Sequence, residues 1–147
     1  VGAHHGLVDD LGFLLSRASG VVARSVSAEL EPLGLRVRSY SVLALSAEEG
    51  AGINQRRLAE IIGLDPSQVV ALVDELEQRD LVARIPDPRD RRNKLVQATE
   101  SGRELVAEAQ ARVTELEDGY FHRMSPRRLD ELRAILREIS FPHEPHA

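Results

Sequence analysis

Three observations predict a mainly α-helical fold carrying one small β-hairpin. Apolar residues recur at spacings of three and four along most of this 147-residue chain, the signature of amphipathic helices. Residues 54–79 hold two such helices separated only by Gly63-Leu64 and a fresh start signal. A charged loop, Pro86-Asp87-Pro88-Arg89-Asp90-Arg91-Arg92-Asn93-Lys94, then separates two short stretches with apolar residues at alternate positions, as in paired strands. Helix, turn, helix and basic hairpin make a winged helix-turn-helix lobe over 36–98. Long helical arms at 8–31 and 99–141 complete a single domain spanning 1–147.

The first arm is expected to begin at Asp9-Asp10, whose carboxylates suit a helix N-terminus. Leu11, Leu14, Leu15, Ala18, Val21, Val22, Val26 and Leu30 form one apolar face, with Gly20 a mild weakness. Pro32 and Gly34 end it. A second helix over 36–49 offers Tyr40, Leu43, Ala44 and Ala47 for an inner face, and Gly50-Ala51-Gly52 breaks it. Asn54 caps a short third helix with Leu58, Ile61 and Ile62 inward and Gly63 at its end. Asp65-Pro66-Ser67-Gln68 combines an Asp cap, Pro at the first helical position and Gln at the capping-box position. Val69, Leu72, Val73 and Leu76 follow as a helical stripe.

Strands are expected at 81–85 and 94–98. Thr99 caps a fifth helix running to about Asp118, with Leu105, Ala109, Val113 and Leu116 on one face. Ser125-Pro126 opens a sixth, where Leu129, Leu132, Leu136 and Ile139 have the spacing of a helix–helix seam. Phe141-Pro142 ends it. Val1–Gly6, with adjacent His4 and His5, reads as a flexible end rather than a metal site, and His143–Ala147 as a frayed tail.

Composition narrows the function classes. Apolar residues make up 42% and charged residues 29%, ordinary for a globular domain. No cysteine is present, which removes disulfides, thiolate metal sites and a thiol nucleophile. No apolar run approaches the roughly 20 residues of a membrane span. No basic segment followed by an apolar run opens the chain, so a cytoplasmic location and no membrane partner are expected. Aromatic content of 3% argues against stacking platforms for single-stranded nucleic acid. No carboxylate pair, Gly-rich phosphate loop or nucleophile–base set has recognisable spacing. His122, beside Tyr120 and Phe121, reads as a helix-junction residue. An enzyme, a catalytic residue, a cofactor and a metal are therefore not expected.

Residues 55–102 resemble the MarR family of bacterial transcription regulators. The resemblance is carried by Leu58-Ala59-Glu60, Asp65-Pro66-Ser67 with Val69, Leu72-Val73, Leu76-Glu77 and Leu81-Val82. It continues through Arg84, Pro86-Asp87-Pro88, Asp90-Arg91-Arg92 and Thr99-Glu100-Ser101-Gly102. It implies a winged-helix homodimer whose first, fifth and sixth helices form the dimerisation region. Its two lobes would dock on a pseudo-palindromic double-stranded operator. Most such proteins repress neighbouring genes, and many release DNA when a small, often aromatic or anionic, effector binds between the dimer base and the lobes. The chain departs from the family pattern at Val70, Ala71 and Glu75, where polar or basic residues are commoner, and at Asp80, where glycine is usual.

On this reading the helix at 66–79 enters the major groove. With the stripe inward, Ser67, Gln68, Val70, Ala71 and Asp74 face outward. Gln68 can pair with adenine or serve the capping box, and Val70 and Ala71 can touch thymine methyls, which favours an A·T-rich operator. The wing sets Arg84, Arg89, Arg91, Arg92 and Lys94 against Asp87 and Asp90, a local excess of positive charge in a chain of net charge −5. In the family, the aspartate matching Asp90 orients the arginine matching Arg92, and the wing tip enters the minor groove. Arg36, Arg38, Asn54, Gln55, Arg56 and Arg57 complete the candidate DNA contacts. A cleft among the first, second and fifth helices is the candidate effector pocket, with Arg17, Arg24, Arg38 and Tyr40 facing it; an arginine there would pair with a carboxylate. The alternative is a winged-helix dimer used for protein–protein contact, suggested by apolar Val70-Ala71 and acidic Asp74-Glu75.

Overall fold

Helix α1 (Leu11–Leu30) starts where the Asp10 carboxylate accepts from the Phe13 N–H at 2.9 Å. This computed structural model describes residues 6–48 and 50–143, so the expected flexible segment with His4 and His5, and the tail beyond His143, lie outside the described residues. A single 3-10 turn at Leu7–Asp9 precedes α1. Only the C-terminal half of α1 is anchored, through buried Val26 and Leu30. Leu11 is 77% exposed and Leu14 and Leu15 are 43% and 42% exposed, so the continuous apolar face read in the sequence has no cover over its first turns.

A 3-10 turn at Glu31–Leu33 and left-handed Gly34 lead into α2 (Val37–Glu48). This helix buries Ser39, Val42, Leu43, Ala44 and Ser46, while Tyr40 and Ala47 are only half-buried. The expected inner face was therefore rotated. The two serines can sit inside because their hydroxyls are satisfied locally. Ser46 donates to the Val42 carbonyl at 2.7 Å, and Ser39 donates to the Arg36 carbonyl and accepts from its N–H.

Three short strands form an antiparallel sheet in the order β1-β3-β2: β1 (Ile53–Asn54), β2 (Val82–Pro86) and β3 (Lys94–Ala98). The hairpin pairs Val82 with Ala98 through to Pro86 with Lys94, and β1 adds Ile53 opposite Val96. A two-residue strand is too short to show alternation, so no periodic signal marks it. Asn54 also caps α3 (Gln55–Ile62) by accepting from the Arg57 N–H at 2.7 Å, and left-handed Gly63 ends that helix. In α3, Leu58 and Ala59 are buried and Ile61 and Ile62 half-buried. Helix α4 (Pro66–Gln78) buries Val69, Leu72, Val73 and Leu76 as its stripe requires.

Asp80 ends this turn with φ 57°, taking the left-handed conformation that glycine usually supplies. Its carbonyl accepts from the Thr99 hydroxyl at 2.6 Å, and Thr99 in turn accepts from the Gly102 N–H at 3.0 Å to cap α5 (Glu100–Phe121). The buried face of α5 is Gly102, Val106, Ala109 and Val113, whereas Leu105 and Leu116 are half-buried.

The chain divides into two compact units within α5, at Val113 and Thr114. The second unit holds the end of α5 and α6 (Pro126–Ser140), which Ser125 caps through the Arg128 N–H. On α6, Leu129 and Leu132 are half-buried, while Ile135, Leu136 and Ile139 are 54%, 39% and 59% exposed. His122 places Nδ1 2.9 Å from the Gly119 carbonyl at the turn between these helices.

Gly102 lies so close to the lobe that a Cβ there would overlap the Leu81 carbonyl. Gly102→Ala should therefore cost about 1–3 kcal/mol in urea unfolding, the scale of overpacking against backbone. Gly119→Ala meets nothing within 4 Å and should be neutral or gain up to about 1 kcal/mol from helix propensity. Equal stabilities for the two variants would contradict this close approach.

Candidate nucleic-acid interface

The outward face of α4 presents Ser67, Gln68, Val70, Ala71 and Asp74, all exposed. The start of the helix is held by the capping box. In it the Asp65 N–H donates to Gln68 Oε1 at 3.1 Å. The amide oxygen of Gln68 is thus engaged. The second lone pair of that oxygen and the Nε2 donors stay available, so the capping role and a base contact are compatible. Val70 is 39% exposed beside Ala71, a small apolar patch suited to thymine methyls.

Arg84 does not join the wing tip. Its Nη1 donates to Glu77 Oε1 at 2.8 Å, its Nη2 to Asp74 Oδ1, and its Nε to Gln55 Oε1 at 3.3 Å. Its backbone N–H also meets Glu77 Oε2 at 3.0 Å, and the side chain is 20% exposed. Gln55 is drawn into the same cluster. In the sequence Glu77 stands only within the family resemblance, and Glu75 only as a departure from it and an acidic surface residue. Their ion pairs do not show there, because an acceptor seven residues before a strand residue leaves no periodic signal. Glu75 takes Arg36 Nη2 at 2.7 Å. Arg79, likewise missed, donates to the carbonyls of Gly34 and Leu33 at 2.6 and 3.2 Å, tying the end of α4 to the turn after α1.

The wing tip keeps Arg89, Arg91, Arg92 and Lys94 exposed, against Asp87 and Asp90. The Asp87 carboxylate accepts from the Arg89 N–H at 2.9 Å, which folds the tip. Asp90 accepts from the Arg92 N–H and from its Nε, both at 3.1 Å. Arg92 remains 91% exposed, so the aspartate orients the guanidinium without covering it. Arg56 and Arg57, on α3, reach Glu60 at 3.3 and 3.6 Å; exposed pairs of this kind are weak and open to competition. Arg38 is exposed on α2.

Two clefts among the described residues of this unit border these side chains. One, of about 400 Å³, is lined by Ser27 of α1, Arg36 and Arg38 of α2, and Gln68, Ala71 and Glu75 of α4. The other, of about 580 Å³, is lined by Arg38, Tyr40, Ala44 and Leu45 of α2 with Ile61 and Ile62 of α3. Arg38 and Tyr40 are thus brought together, but Arg17 and Arg24 line neither cleft, and neither is bounded by α5.

The side-chain and backbone donors of Arg92 hold the Asp90 carboxyl below its ordinary pKa. A depressed carboxylate pKa stabilises the folded wing above the ordinary value, and that contribution is lost as pH falls through the lowered one. The pair is therefore intact at neutral pH. In a carboxyl NMR titration, Asp90 should show a midpoint below the usual aspartate value. It should move part of the way back toward that value in Arg92→Ala, which removes the side-chain donors and keeps the backbone N–H. An unshifted midpoint in both proteins would contradict the pairing.

The sequence profile of the MarR family matches residues 35–94. Among solved structures, CouR from Rhodococcus jostii RHA1 bound to p-coumaroyl-CoA is 51% identical, over 97% of this chain and 99% of that one, with a TM-score of 0.91. A MarR-family transcriptional regulator from Rhodococcus sp. RHA1 is also 51% identical, over 96% and 99%, with a TM-score of 0.88. The transcriptional repressor CouR bound to a 23-mer DNA duplex is 30% identical, over 95% and 99%, with a TM-score of 0.81. With the winged lobe in place, and identity at this level along nearly the whole chain, the protein belongs to the MarR family of transcription regulators.

Proposed function

We propose that this chain is a sequence-specific double-stranded DNA-binding repressor, acting as a homodimer on a pseudo-palindromic operator and released by a small aromatic, anionic effector. The observation that carries the reading is the exposed wing tip, where Arg89, Arg91, Arg92 and Lys94 concentrate positive charge on a chain of net charge −5. Such a reversal of sign is what a phosphate-facing surface needs. Helix α4 beside it offers a row of small, exposed side chains that a groove can accept. A relative bound to a DNA duplex supports the same use of this fold.

Self-association is supported by apolar side chains left uncovered on α1 and on α6, because patches of this kind usually mark an interface. The effector class is supported by the 51% identical relative that binds p-coumaroyl-CoA, a molecule with an aromatic ring and anionic phosphates. In this chain, Arg38 and Tyr40 line the larger cleft beside apolar Ala44, Leu45, Ile61 and Ile62. Arg38 also lines the cleft at α4, so a ligand engaging it would compete with DNA for the same cation. The protein-interaction alternative loses its acidic argument, since Asp74 and Glu75 are paired with Arg84 and Arg36.

Arg92→Ala should weaken binding to a duplex selected by the wild-type protein from a randomised pool. The slope of log affinity against log salt should fall by about two units, one for each protomer, with the oligomeric state unchanged. Unaltered affinity and slope would count against wing insertion.

A further inference from the structure

We infer that Arg84 is a positioning residue that clamps the wing onto the groove-reading helix, and is not one of the cations that meet the DNA backbone. The inference rests on the DNA-binding reading above. One guanidinium joins three elements: Gln55 at the first position of α3, Asp74 and Glu77 on α4, and its own strand β2. Its Nε, Nη1 and Nη2 each already face an acceptor. Two carboxylates surround its single charge, so the cluster contributes no positive field toward a phosphate. Arg84 is 20% exposed where Arg92 is 91% exposed.

The consequence is geometric. The outward residues of α4 and the cations of the wing tip belong to separate elements, and both must reach one duplex at once. Between Asp74 and Arg84 the chain leaves α4, turns through left-handed Asp80 and enters β2. The fork closes this loop from side chain to side chain. The Arg84 N–H to Glu77 bond, 3.0 Å, fixes the strand itself and not only the tip of a flexible arginine. A displacement of about 1 Å between two contact surfaces is enough to lose much of a shared binding energy. Lysine cannot replace the fork, because a single ammonium cannot span three acceptors in fixed directions.

The test compares Arg84→Lys, Arg84→Ala, Arg92→Lys and Arg92→Ala with wild type on a duplex selected from a randomised pool, each titrated against salt. Clamping predicts that both Arg84 variants lose roughly tenfold in affinity, the scale of a lost charged fork, with an unchanged salt slope. Arg92→Lys should keep its slope, since lysine still binds phosphate. If Arg84→Ala lowers the slope by about two units, one for each protomer, and Arg84→Lys restores it, Arg84 is a phosphate contact and the inference is overturned. Unchanged affinity in both Arg84 variants overturns it as well. Amide hydrogen exchange on the free proteins decides the clamp without DNA. Residues 82–86 and 94–98 should exchange faster in Arg84→Lys than in wild type or Arg92→Lys, and equal exchange would refute the clamp. Failure of the wild-type protein to select any duplex would sink the DNA reading, while the exchange comparison would still judge Arg84.

Discussion

Burial of Val69, Leu72, Val73 and Leu76 fixes which side of α4 can look outward. Each such side chain contributes about 1.5–3 kcal/mol when fully removed from water, so rotating the helix to expose the stripe would cost an amount comparable to the whole stability of a domain of this size. With the stripe inward, Ser67, Gln68, Val70 and Ala71 have only one direction left. The capping box at Asp65 and Gln68 then fixes where the helix begins, and Asp80 turns the chain directly into the wing. The exposed surface and the core are two faces of one helix, and the packing of the second places the first.

Charge is arranged on the same principle. The arginines of this lobe are alike by residue type, yet their surroundings divide them. Arg84 and Arg79 are held by carboxylates and carbonyls within the fold. Arg36 has Glu75 at hand. Arg92 is oriented by Asp90 but stays open to solvent. The acidic residues Asp74, Glu75 and Glu77 of α4 are offset by arginines of neighbouring elements. Exposed cations are concentrated at the wing tip, with Arg38 on α2 and Arg56 and Arg57 on α3 also exposed, on a chain whose net charge of −5 disfavours indiscriminate binding to nucleic acid.

Much of this was readable before the structure. Helices α3 and α4 and the hairpin carry start, stop and period signals in close succession, and they fall within a residue or two of where those signals put them. The left-handed turn at Asp80 followed from the departure from glycine at a helix end. What could not be read is tertiary. The inner face of α2 was misplaced because Ser39 and Ser46 are polar by type and become buried only through local hydrogen bonds. Strand β1 exists only because β3 is there to pair with it. The close approach of Gly102 to Leu81 depends on how α5 meets the lobe. Arg84 looked like one more wing cation, since its partners Asp74, Glu77 and Gln55 come together only after folding. Arg17 and Arg24 were candidates for a cleft among the first, second and fifth helices, and they line neither of the two clefts.

The most direct test of the central claim is binding of the purified protein to a duplex it selects from a randomised pool, compared with random duplex across a salt series. The account predicts tight, sequence-selective binding to a site with two related half-sites, weakening steeply as salt rises because phosphate contacts release counterions. Weak binding, equal on selected and random DNA and flat with salt, would contradict it.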